Sequence, residues 1–120
     1  MTTYQTNSTK EELERWYEAL RSGEYKQGTQ NLCNLDEEFC CLGVYHDVNG
    51  DEDWETGENG TCWSAGKLRA VNLSLISTVS MLPVSVMPYD IQLLLSYKND
   101  RENMSLRQIA DWAEPRLLPK

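Results

Sequence analysis

Two stretches, one near each end of the chain, carry the same local instruction. Thr9 is followed three residues on by Glu12, and Ser105 by Gln108, the spacing of a capping box; Ser8 with Glu11 offers a second frame for the first. Behind the first box, Leu13, Trp16, Tyr17 and Leu20 fall at i, i+3, i+4 and i+7. Behind the second, Leu106, Ile109, Ala110 and Ala113 repeat that stripe. Gly23 stops the first helix and Pro115 the last. An amphipathic helix must dock its apolar face on something. With no linker or internal repeat between them, the two ends are expected to belong to a single domain spanning residues 1–120.

Between these helices the pattern is less decided. Glu24 to Cys33 suits a turn and then an edge strand. Phe39 to Val48 is a short apolar run: with Asp36 as cap it reads as a helix, and by its length it reads equally as a buried strand. Asn49 to Thr61 is an acidic, Gly-rich loop containing Trp54. Leu68 to Leu82 is the best strand candidate, because Val71, Leu73 and Leu75 alternate with Asn72 and Ser74. Ile91, Leu94 and Leu95 form a helical stripe over Tyr89 to Lys98, and Asn99 to Asn103 a polar turn. The expected architecture is α+β, three or four helices packed around a small, mostly antiparallel sheet.

Charge narrows the function. The chain has 120 residues and a net charge of −8, yet no Lys or Arg occurs between Gln27 and Gly66. Asp36, Glu37, Glu38, Asp47, Asp51, Glu52, Asp53, Glu55 and Glu58 all lie in that belt. A surface of one negative sign repels phosphate backbones and attracts basic proteins or cations, so no direct nucleic-acid contact is expected. No run approaches the ~20 apolar residues that span a bilayer, and Met1 to Asn7 lacks the basic and apolar regions of a secretory signal. A cytoplasmic location with no membrane contact is therefore expected.

Several residue groups invite a chemical reading. Cys33, Cys40, Cys41, Cys62 and His46 include the ligand types zinc prefers, but no Cys-x-x-Cys pair is present to form a knuckle. Small buried apolar residues are the plainer interpretation. Asp47, Asn49, Asp51 and Asp53 resemble the start of a calcium loop; the twelfth position is Glu58, but the sixth is Glu52 where a glycine is needed. A solvated acidic loop fits better. His46 beside Asp47 could serve a Cys40 or Cys41 nucleophile only if the fold brought them together, which spacing does not do. The segment from Ser105 resembles the first helix of a helix-turn-helix, but Pro115 interrupts before a recognition helix. Trp16 and Trp112 sit on or beside helical stripes and read as packing. Trp54 and Trp63, flanking the Gly-rich loop, read as binding anchors.

"RWYEALRSGEYKQG", "FCCLGVYHDVNG" and "LLLSYKNDRENMSLRQIADWAE" together resemble a family of small uncharacterised proteins of tailed bacteriophages and prophages. The family pattern falls on Trp16, Ala19, Leu20, Arg21, Ser22 and Gly23, on Tyr25, Lys26 and Gln27, and on Cys40 to Val44. It closes on Asn99 and Asp100, then Ser105, Ile109, Ala110 and Asp111. Leu106 stands where the family has Phe, His46 stands near a position often held by a further Cys, and Leu68 to Val86 match poorly. The resemblance implies a phage accessory protein and implies no activity.

The function expected is non-enzymatic: binding a host protein with a basic surface, so as to inhibit a defence factor or host enzyme. Asp51, Glu52, Asp53, Trp54, Glu55, Glu58 and Trp63 form the expected contact set, with no cofactor. The alternative is a protein that sequesters a small nucleotide-like ligand on Lys67, Arg69, Lys98 and Arg101. A zinc-stabilised domain on the cysteine and histidine set is the third option.

Overall fold

The Thr9 hydroxyl accepts the Glu12 backbone N–H at 3.1 Å, and the Glu12 carboxylate accepts the Thr9 N–H at 2.8 Å. That reciprocal pair opens helix α1, Lys10–Arg21, in the computed structural model. The structure describes residues 1–28, 38–49, 54–56, 62–64, 82 and 87–120, with 54–56 and 62–64 as backbone. In chain order the elements are β1 (Tyr4–Gln5), α1, β2 (Lys26–Gln27), β3 (Glu38–Phe39), α2 (Cys41–Asn49), β4 (Trp54–Thr56) and β5 (Cys62–Ser64). Helix α3 (Tyr89–Asp100), helix α4 (Leu106–Ala113) and β6 (Leu117–Leu118) follow. Ser105 caps α4 with the second capping box. Gly23, at φ 78°, takes the left-handed conformation that turns the chain after α1.

The core is helical. Helix α1 packs on α2 and α4, and α3 touches both α2 and α4. Leu13, Trp16, Tyr17 and Leu20 are all buried, as are Leu106, Ile109, Ala110 and Ala113. The run from Phe39 divides: β3 ends at Phe39 and α2 begins at Cys41. Cys41 through His46 are all buried, so α2 has no exposed face along those six positions. That explains why its periodicity was mute. Trp16 fastens α1 to α2, its indole N–H donating to the Cys41 carbonyl at 2.8 Å while its ring meets Tyr45 edge-on at 5.6 Å.

The four helices among the described residues fit an α+β class, but the sheet expectation needs correction. Instead of one mostly antiparallel sheet, the described strands form three two-stranded ladders. β1 with β6 and β2 with β3 are parallel, and only β4 with β5 is antiparallel. The parallel partners are strands of two residues each, too short for alternation to register, and β1 and β6 come from opposite ends of the chain. Gly28 permits the close approach at β2–β3, where a Cβ would stand 2.8 Å from that of Glu38. Residues 54–56 are strand where a loop was expected; β-favouring triplets lie on either side of a five-residue connection holding Gly57 and Gly60. Of the strand expected over Leu68 to Leu82, only Leu82 is among the described residues.

Two buried amides tie the segments together. Gln92 accepts the Leu82 N–H at 2.6 Å and donates to the carbonyls of Leu82 and Met87 at 2.9 and 2.8 Å. Asn99 accepts from Cys41 N–H at 3.3 Å and from Gln27 at 2.9 Å, and donates to Gly28 at 2.9 Å. Each side chain completes backbone hydrogen bonds that would otherwise be lost on burial.

Candidate functional site

Three residues of the expected contact set, Trp54, Glu55 and Trp63, belong to the β4–β5 ladder. Glu55 stands opposite Trp63, Trp54 opposite Ser64, and Thr56 opposite Cys62. The ladder thus brings one acidic and one aromatic position of the belt to a single register step, while the two tryptophans occupy successive steps. Asp51, Glu52, Asp53 and Glu58 lie outside the described residues. Two other belt acids are engaged locally. Glu38 lies 3.6 Å from Lys26, and Asp47 accepts the Tyr25 hydroxyl at 2.5 Å.

Cys33 lies outside the described residues and Cys62 belongs to β5. Cys40 and Cys41 are buried free thiols at the entry to α2, and His46 is buried further along that helix. Burial pushes the Cys40 thiol up to about 11 and raises that of Cys41 well above its ordinary range. Both are held as thiols, the opposite of what a nucleophile or metal ligand requires. Among the described residues no group of three or more His, Cys, Asp or Glu is arranged to hold a metal ion. The first two oxygen positions of the calcium-loop reading, Asp47 and Asn49, belong to the last turn of α2. Asp47 holds Tyr25, and the Asn49 amide donates to the Glu12 carbonyl at 3.0 Å.

The basic residues of the small-ligand alternative divide. Lys67 and Arg69 lie outside the described residues, and Arg101 is exposed at the end of α3. Lys98 is committed: its ammonium lies 3.1 Å from Glu102 and 4.5 Å from the centre of the Trp112 ring. Arg116 flanks the same indole at 5.1 Å. Trp112 is therefore a packing residue, as its stripe position predicted, with Tyr4 beside it at 6.1 Å.

A second acidic feature was missed from sequence. Between α1 and α4 lies an open cleft of about 550 Å³, lined by Glu14, Tyr17, Glu18, Arg21, Ser22 and Glu114. Arg21 crosses to α4, donating to Asp111 at 2.9 Å and to Glu114 at 3.0 Å. These two carboxylates hold the guanidinium above its usual range, Glu114 contributing most. Among the described residues Glu14 pairs with Lys10 alone, at an exposed 3.9 Å. The sequence signal was a polar stripe, Glu14, Glu18 and Arg21, running beside the apolar one on α1. Glu114, far along the chain, could be joined to it only by the fold.

A model of the family described as Domain of unknown function (DUF8296) matches residues 9–93. The chain belongs to DUF8296. The match opens on Thr9, the cap of α1, and ends within α3, so the DUF8296 span takes in the acidic belt and the β4–β5 ladder. Helix α4 and β6 lie beyond it. No curated protein and no solved structure matches the chain.

Proposed function

We propose that this chain is a non-enzymatic phage accessory protein that binds a host protein through the acidic segment centred on β4 and β5. The observation that carries the reading is the base-free belt from Gln27 to Gly66, with its nine carboxylates. Opposite charge on a partner speeds encounter and selects against wrong partners, and a basic nucleic-acid-binding site on a host factor has the complementary chemistry. Trp54 and Trp63 supply the aromatic residues that anchor such interfaces. The buried, protonated thiols add support by removing the nearest candidate nucleophile.

The test compares wild type with a variant carrying Asp51→Asn, Glu52→Gln, Asp53→Asn and Glu55→Gln in pull-downs from bacterial lysate. Wild type is expected to retain a basic protein that the variant loses, with recovery falling as salt rises. Equal recovery of every partner by both forms rules the reading out.

A further inference from the structure

Behind the wall of the α1–α4 cleft lies a polar group that the fold leaves unanswered. Tyr17 lines the cleft and is 4% exposed, and its hydroxyl has no hydrogen-bond partner among the described residues. A buried hydroxyl without a partner is uncommon in a folded protein and calls for an explanation. The charges of Glu114 and Arg21, which wall the cleft, both act on it. Burial, reinforced by Glu114, raises the phenol above its ordinary range, so it stays a neutral O–H able to give one hydrogen bond and accept others.

The surroundings select the ligand. The lining has three carboxylates, Glu14, Glu18 and Glu114, against the single guanidinium of Arg21. That guanidinium is already shared between Asp111 and Glu114, so the space it leaves is anionic. An anion is disfavoured there. A bare metal ion would gain little from a protonated phenol in a space of about 550 Å³. A compact cation with several N–H donors and an apolar stem suits both the carboxylates and the aromatic wall. Arg21 demonstrates that Glu114 accepts such a donor.

We propose that this cleft binds an alkylammonium group, with Glu14, Glu18 and Glu114 taking the charge and the Tyr17 hydroxyl accepting its innermost N–H. The group is common to a lysine side chain of a partner protein and to a free polyamine. Arg21 and Glu114, 33% and 54% exposed, turn aside to admit it, and the ammonium replaces Arg21 on Glu114. None of these residues lies in the acidic belt, so the proposal stands or falls separately from the host-protein reading.

The full chain is titrated with N-acetyl-lysine methylamide, with its ε-acetylated neutral counterpart and with putrescine, following the Tyr17 ring and the Glu18 carboxylate by NMR. The charged compounds are expected to give saturable shifts and the neutral one none. Tighter binding of the lysine compound assigns the site to a protein side chain, and tighter binding of putrescine assigns it to a free polyamine. Tyr17→Phe is expected to weaken binding about tenfold, as loss of a hydrogen bond to a charged group does. The same variant keeps or raises the thermal midpoint, because the hydroxyl it removes has no partner in the fold. Glu18→Gln, at an exposed position, weakens binding without unfolding. Saturable shifts with the neutral compound, no shifts with either cation, unchanged affinity in Tyr17→Phe, or a lowered midpoint in that variant each overturn the proposal.

Discussion

Cys40 and Cys41 show how burial alone sets chemistry. Desolvation disfavours the thiolate, and the Cys41 Sγ–H points to the Leu95 carbonyl at 3.7 Å. In native protein near neutral pH, iodoacetamide is expected to leave both unlabelled, and unfolding in urea to expose both. Rapid native labelling, read by mass spectrometry, would contradict the burial. The same shift sets a pH limit. A thiol whose value rises on folding contributes stability that is complete below its ordinary 9.0 and is lost as pH climbs through about 11 for Cys40. Thermal midpoints should therefore fall on the alkaline side of 9.0, and a flat profile there would refute the linkage. The lone histidine, a natural suspect in any sequence, is a core residue of α2 at 4% exposure.

Helices α1 and α4 were legible because everything that starts them lies within four residues. The two capping boxes predict their own test. Thr9→Ala and Ser105→Ala should each cost about 1 kcal/mol in urea unfolding, and the costs should add because the caps share no partner. Losses much below that would mean that tertiary packing alone positions the helix starts. Helix α2 was not legible for a physical reason: a helix buried over six successive positions has no polar face to alternate with its apolar one. The β2–β3 and β1–β6 ladders were hidden differently. β1 and β6 come from opposite ends of the chain, and β2 and β3, though nearer, are two residues each, too short to show alternation. The β4–β5 pair does carry a local signal, its two β-favouring triplets, but the acids and glycines around them have the composition of a loop.

At the scale of the molecule, the two candidate sites differ in how they could be found. The acidic belt is a property of composition and was visible at once, because charge sums along a chain without reference to fold. The α1–α4 cleft exists only because the fold packs α4, near one end of the chain, against α1, near the other. The ladder of the chain's two ends carries a mechanical consequence. Tyr4 N–H donates to Arg116, Thr6 N–H to Leu118, and Lys120 N–H to Ser8, at 2.7, 2.9 and 2.8 Å. Since β1 and β6 run parallel, tension applied to both ends slides one strand along the other instead of peeling them apart. These bonds then share the load and must rupture together. A single-molecule stretching trace should show one early force peak that disappears when residues 117–120 are deleted, and an unaltered trace would show that the strands bear no load. A protein drawn end to end, as during threading into a protease, would meet its first resistance at this lock.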